Sequence, residues 1–268
     1  MEDQQIFNMW TKFKELLMST NRQNIDKVIK WLDESNFKFD PASTQYHNSF
    51  RGGLLQHSLH VYYIMMDDFS NLNTFFELSK DTIIITSLLH DICKVNCYIT
   101  EYRNTKNEEG QWVKVPFYKF DDRNPLGHGE KSVMLLQKLG LELSNVEMML
   151  IRNHMGFSET EDIRRVSKAF NYCPQSLVLC YADMLATFCL ENKEMPQRFV
   201  EKVLGNSITN CLNELNKPKT ITVNGMTYEL AKPEEPVDDV TVILLNYQDK
   251  GITKQVKVYA PYEDGLPF

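Results

Sequence analysis

Four histidines and two aspartates stand where the chain is otherwise apolar. His57 sits in Gly52-Gly53-Leu54-Leu55-Gln56-His57-Ser58-Leu59, and His90-Asp91 closes the run Ile83-Ile84-Ile85-Thr86-Ser87-Leu88-Leu89. His128 follows Leu126-Gly127, His154 ends Ile151-Arg152-Asn153, and Asp183 lies in Leu179-Cys180-Tyr181-Ala182-Asp183-Met184-Leu185. An imidazole beside a carboxylate in such surroundings is costly without partners. One histidine of this kind is usually a core side chain satisfied by a hydrogen bond; six such positions together need one shared explanation. Imidazole nitrogen and carboxylate oxygen are what Mn, Fe, Co, Ni and Zn prefer, and Asp91, next to a histidine, can bridge two ions.

The ordered set His57, His90-Asp91, His128, His154, Asp183 resembles the H…HD…H…H…D signature of the HD-domain metal-dependent phosphohydrolases. The flanks Gly-Gly-Leu-Leu-Gln-His, Leu-Leu-His-Asp-Ile-Cys-Lys and Leu-Gly-His-Gly share the resemblance, which covers residues 46–190 and looks closest to HD hydrolases of bacteria and their phages. It implies a mainly α fold, an HD-domain helical bundle. It implies that His57, His90, Asp91 and Asp183 hold one divalent ion, and that Asp91 bridges to a second held by His128 and His154. The metal is one of Mn, Fe, Co, Ni, Mg or Zn. Cys93 departs from the commoner glycine between the HD pair and the lysine; the nitrogen and oxygen ligands already fill the set without it.

The activity implied is hydrolysis of a nucleotide or nucleotide-like phosphate ester by a water that two metals activate, which needs no serine or cysteine nucleophile. Asp91 and Lys94 are the expected catalytic residues. Lys94, four residues after His90, is expected on the same helical face, where it stabilises developing charge or protonates the leaving oxygen. Arg51, Lys131 and Arg152 flank ligand positions and are the expected phosphate contacts, arginine being suited to bidentate binding. His47 and His60 stand outside the pattern, although His60 shares a helical face with His57. Other readings keep the same ligands: a cyclic-nucleotide or dinucleotide phosphodiesterase, a 3′-5′ exonuclease, a di-iron oxygenase of this fold, or a non-catalytic nucleotide sensor.

The elements that must position these residues are helices, read from apolar residues at i, i+3, i+4 and i+7. The pattern predicts helices over Ile6–Met18, Ile25–Leu32, Leu54–Phe69, Thr82–Val95, Glu130–Leu139, Asn145–His154, Pro174–Leu190 and Pro196–Leu215. Residues 37–51 read as a loop, closed by Gly52-Gly53. Within residues 96–124, Cys97–Thr100 and Trp112–Tyr118 read as a hairpin inserted between core helices. From Pro218 the chain turns β: Thr220–Val223, an Asn224-Gly225 turn, Met226–Leu230, Thr241–Tyr247 and Ile252–Tyr259. The expected organisation is a helical domain over 1–217, with N-terminal helices in 1–36, and a small β appendage over 218–268.

With 43% hydrophobic and 24% charged residues and a net charge of −7, the composition is that of a globular chain and disfavours long nucleic acid as a nonspecific ligand. A small phosphorylated substrate, probed by a local cluster of cations, is still compatible. No stretch approaches the ~20 apolar residues of a membrane helix, and the acidic start Met1–Gln5 is unlike a signal peptide. A cytoplasmic protein is therefore expected, with no membrane partner; oligomeric state is not legible. The six cysteines, Cys93, Cys97, Cys173, Cys180, Cys189 and Cys211, read as reduced thiols instead of a disulfide framework. The pairs Glu108-Glu109, Asp121-Asp122 and Glu234-Glu235 read as solvated loops.

Overall fold

The computed structural model describes residues 1–67, 76–107, 109–158 and 160–191, and the strands 220–223, 226–230, 240–249 and 252–261. The chain divides into two compact units, Met1–Leu212 and Asn213–Phe268. The first is mainly α, with a small two-stranded antiparallel sheet. Among the described residues its helices are α1 (Asp3–Ser19), α2 (Ile25–Asp33), α3 (Gly53–Asp67), α4 (Lys80–Leu89), α5 (His128–Lys138), α6 (Asn145–Asn153), α7 (Ile163–Tyr172) and α8 (Ser176–Leu185). No helix among the described residues is long and apolar enough to cross a membrane.

The middle of the unit is α4, whose residues Ile83 to Leu89 are all buried. A helix apolar on every side is stable only when surrounded, and α3, α6 and α1 supply that surround. Its start is fixed by Ser79, whose hydroxyl accepts from the Thr82 amide at 3.1 Å. Packed beside it, α3 contributes the fully buried Leu54, Leu55, Leu59 and Ile64, each burial contributing about 1.5–3 kcal/mol. Trp10, Phe13 and Phe37 form an aromatic cluster with ring centroids 5.0–6.1 Å apart, Trp10 stacked on Phe13 and Phe37 tilted against both.

Two approaches bring the helices close enough to share a site. At Gly129 on α5 a Cβ atom would fall 2.3 Å from the Arg152 carbonyl oxygen, so only glycine lets α5 lie against the end of α6. At the other side of α6, Glu147 is fully buried: it completes a capping box with Ser144, accepts from Thr82 of α4 at 3.3 Å, and pairs with Arg22.

The inserted hairpin is present as β1 (Tyr98–Lys106) and β2 (Trp112–Phe120), paired from Tyr98↔Phe120 to Lys106↔Trp112. Three expectations for helices need correction. The segment Thr82–Val95 is not one helix: α4 stops at Leu89, Asp91 takes φ −99° and ψ 15°, and Ile92–Lys94 forms a separate 3₁₀ turn. The segment Pro174–Leu190 is α8 followed by a wider turn over Ala186–Leu190, closed by the Glu191 amide donating to the Ala186 carbonyl five residues back. Helix α7 was not anticipated, although Asp162 caps it through the Arg165 amide at 2.8 Å and Val166, Ala169 and Phe170 form a buried stripe. The helix expected over Pro196–Leu215 and the end of the one over Leu54–Phe69 lie outside the described residues.

The second unit contains the strands β3 (Thr220–Val223), β4 (Met226–Leu230), β5 (Val240–Asp249) and β6 (Ile252–Pro261) in an antiparallel meander ordered β3-β4-β5-β6. Val223 pairs with Met226 and Asp249 with Ile252. The expected turn at Asn224-Gly225 and the pair Glu234-Glu235 lie outside the described residues.

Candidate metal centre

All six expected ligand residues converge in the first unit. His57 comes from α3, His90 and Asp91 from the break after α4, His128 from the first residue of α5, His154 from the residue after α6, and Asp183 from α8. His57, His90, Asp91 and His154 are buried. Neighbouring rings lie 5.3 Å apart for His57 and His90, 4.9 Å for His90 and His154, and 5.4 Å for His128 and His154.

The orientation of the rings carries the chemistry. His90 Nδ1 lies 2.7 Å from the Ser87 carbonyl, His154 Nδ1 lies 2.7 Å from the Ile151 carbonyl, and His57 Nδ1 lies 3.0 Å from Glu191 Oε1. Carbonyl and carboxylate oxygens only accept, so each of these Nδ1 atoms carries a proton and donates. The Nε2 atoms of all three turn inward. His57 Nε2 is 3.0 Å from Asp183 Oδ1, and His90 Nε2 is 3.5 Å from Asp91 Oδ2. His128 Nε2 approaches Asp91 Oδ1 at 2.8 Å. His154 Nε2 is buried 3.4 Å from Asp91 Oδ1 without a hydrogen bond, and the Nε2 atoms of His57 and His90 face each other at 3.3 Å.

Lone pairs gathered in this way need a cation, a proton or a metal ion. Burial alone would lower the His57 pKa, but Glu191 and Asp183 push it up to about 10. Burial would raise Asp91, yet Lys94 and His90 hold it well below the usual carboxylate range; Asp183 is held down by His57. His154 is also raised, Asp91 outweighing burial, whereas His128 is lowered because burial and the charges of Lys94 and His154 outweigh Asp91. Groups able to hold metal ions run as a continuous chain: His57, His90 and Asp183; then His90, Asp91 and His154; then Asp91, Cys93 and His128. Within each group the ligand atoms lie within 4.8 Å of one another. The residues present therefore fit a divalent ion, and the orphaned Nε2 of His154 is the atom that most needs one.

Cys93, set aside as a ligand from sequence, stands inside the third of these groups; burial, then the charge of Asp91, push its thiol up to about 12. Cys93, Cys97, Cys173 and Cys180 are buried free thiols and Cys189 is half-buried; Cys211 lies outside the described residues.

Lys94 reaches the cluster by a route other than the expected one. Being on the 3₁₀ turn, it pairs with Asp91 three residues back, Nζ to Oδ2 at 2.6 Å, instead of aligning with His90 along a helix. Burial would lower its pKa, but Asp91 raises it, so it stays charged.

The three cations expected to contact phosphate are directed to other partners. Arg51 pairs with Asp3 at 2.7 Å and lies over the Phe39 ring. Lys131 donates to Asp122 at 2.6 Å and to Cys97 Sγ at 3.3 Å. Arg152 pairs with Glu130 at 2.5 Å and Glu161 at 3.1 Å. Asp122 thus has a half-buried ion pair where a solvated acid was expected.

Glu191 was missed. Its buried carboxylate accepts from His57 at 3.0 and 3.2 Å and from His60 at 2.8 Å, and His47 Nε2 lies 4.0 Å away. It locks the His57 tautomer, as carboxylates behind metal-binding imidazoles do. Two signals pointed to it: His57 and His60 share a helical face and both need an acceptor, and Glu191 lies eight residues after Asp183. A regular helix turns about 100° per residue, leaving those two side chains about 80° apart. The wider turn at Ala186–Leu190 sweeps less angle per residue and closes that gap. His47 itself is half-buried, its ring nitrogens without hydrogen bonds; burial and the charge of His57 bring its pKa down to about 4.

The chain matches no protein-family model, no curated protein and no solved structure. The buried His, Asp and Glu groups can hold metal ions, and that statement rests on the geometry alone.

Proposed function

We propose that this cluster is the divalent-metal centre of an HD-type phosphohydrolase acting on a nucleotide or nucleotide-like phosphate ester. The observation that carries the reading is the inward convergence of four Nε2 atoms on Asp91 and Asp183, with three of the four Nδ1 atoms tied to oxygen acceptors. The order of the ligands along the chain supports the same family. His57, His90, Asp91 and Asp183 would hold one ion and Asp91, His128 and His154 a second. Bound divalent ions supply Lewis-acid charge and a water acidic enough to deprotonate near neutral pH.

The chain's own groups do the rest. Lys94, held at Asp91 and charged throughout the neutral range, is better suited to stabilise charge on a phosphoryl or leaving oxygen than to donate a proton. Asp91 orients Lys94 while facing both His128 and His154, so it couples the two halves of the cluster. Lys94 also favours phosphate chemistry over the oxygenase alternative, for which a cation at this position has no evident use.

The test is a turnover screen of nucleoside mono- and triphosphates, cyclic nucleotides and dinucleotides with Mn, Fe, Co, Ni, Mg and Zn, read by product chromatography beside metal analysis. Metal bound at the cluster with phosphate ester cleaved is the expected result. Substrate-dependent oxygen uptake without phosphate release, or nucleotide binding without turnover under every metal, would overturn it.

A further inference from the structure

The hairpin between Lys94 and His128 has a face that, beyond Tyr98 at its root, stands open. Residues directly opposite in an antiparallel pair share a face. Tyr98↔Phe120, Thr100↔Tyr118, Tyr102↔Pro116, Asn104↔Lys114 and Lys106↔Trp112 therefore lie on one side. That side holds five aromatic rings, and it is open where it leaves the body: Trp112 is 70% exposed, Tyr102 62% and Phe120 42%. Apolar rings left this exposed are usually there to meet something.

The charges on the same face select what that partner is. Lys106 Nζ lies 5.3 Å from the Trp112 ring and Lys114 Nζ 5.8 Å from the Tyr102 ring. Among the described residues neither lysine has a carboxylate partner, whereas on the opposite face Lys119 is taken up by Glu101 at 2.9 Å. In a chain of net charge −7, these are cations left available beside stacking surfaces. Rings for bases and ammonium groups for the backbone are the two elements of a single-strand binding platform.

The platform begins at the cluster. Tyr98, at its root, follows Lys94 by one turn and lies close enough for the charges of the two to interact; its hydroxyl donates to the Ala42 carbonyl at 3.0 Å. Its ring meets Phe120 at 5.3 Å and Tyr118 at 6.4 Å, which starts the aromatic row. The eight steps of β1 from Tyr98 to Lys106 extend it for about 26 Å at ~3.3 Å per residue, the length of about eight stacked nucleotides at ~3.4 Å each.

We infer that this face binds a short single-stranded oligonucleotide and leads its end toward the metal cluster. The acidic balance of the whole chain is no obstacle, because the contact is local and short. The inference rests on the phosphohydrolase reading only for what happens at the end of the strand.

The test uses the full metal-loaded chain and a labelled phosphorothioate octathymidylate, which resists hydrolysis, followed by fluorescence anisotropy at 50 and 200 mM salt. Trp112→Ala should weaken binding about tenfold or more, and Trp112→Phe should restore most of it. Lys106→Ala with Lys114→Ala should flatten the dependence of affinity on salt. Absence of binding at 50 mM salt, equal affinity of Trp112→Ala and the parent, or equally tight binding of a duplex would overturn the inference. So would a dimer in sedimentation that Trp112→Ala abolishes, since the face would then serve a second copy. Strand binding without turnover of any phosphate ester defeats the hydrolase reading alone; nucleotide hydrolysis without strand binding defeats this inference alone.

Discussion

Replacing Glu191 by alanine separates a ring-positioning role from a packing role. The carboxylate receives His57 and His60 on the same oxygen, Oε1, at 3.0 and 2.8 Å. Its removal leaves two buried N–H donors unpaired, at about 1–3 kcal/mol each, so the fold should lose about 2–6 kcal/mol. For a unit of this size that is a drop in Tm of about 5–20 °C. His57 would also be free to present Nδ1 or to rotate, and loss of a carboxylate behind a ligand imidazole typically costs about 10–100-fold in metal affinity. Glu191→Gln is the informative companion: an amide oxygen at the Oε1 position still accepts from both rings, and only the charge is gone. Metal titration calorimetry on folded protein, with thermal melts in parallel, should place glutamine within about tenfold of the parent and alanine well below it. If alanine melts lower but binds the ion as tightly as the parent, Glu191 merely fills space and the positioning argument fails.

Asp91→Ala should abolish both bound metal and turnover, whereas Lys94→Ala should retain the metal and lose turnover by about 10²-fold or more; an Asp91→Ala chain with full metal content would defeat the ligand assignment. Burial pushes the Asp40 carboxyl up from 3.8 to about 6 despite the Asn96 amide, so its ionisation opposes folding: its contribution is full below pH 4 and is lost as pH rises through 6. Asp40→Asn should accordingly raise Tm at pH 7–8 and give no gain near pH 4, and a gain that is the same at both pH values would contradict this. Gly129→Ala should destabilise the first unit by about 1–3 kcal/mol or more, because its methyl carbon meets backbone; an unchanged Tm would mean that α5 and α6 can separate without penalty.

The convergence of His57, His90, Asp91, His128, His154 and Asp183 was legible because polar side chains of these types violate an apolar pattern. The hairpin and the strands from Thr220 were legible from alternation and turn residues. What escaped was set by tertiary geometry. Periodicity cannot register the break at Asp91, because Ile92 and Val95 continue the apolar spacing across it, and so Lys94 was placed on the wrong kind of turn. Glu191 lies beyond the last apolar residue of its segment, where an acid looks solvated. Arg51, Lys131 and Arg152 are adjacent to ligands in sequence, but proximity along the chain says nothing about whether Asp3, Asp122 or Glu161 claims the charge first. Helix α7 has a narrow apolar stripe amid charged residues, which reads as a polar connection unless the Asp162 cap is weighted.

The wide turn at Ala186–Leu190 gives the segment joining the two acids that flank His57 one residue more than ordinary winding needs to bring both to the same side. Ordinary winding at the present length would leave Glu191 about 80° from Asp183, whereas ordinary winding with one residue fewer runs seven steps, about 700°, and would keep the two acids within about 20° of each other. Length and winding in this stretch are thus a matched pair, and changing the winding alone is what would carry Glu191 away from both imidazoles.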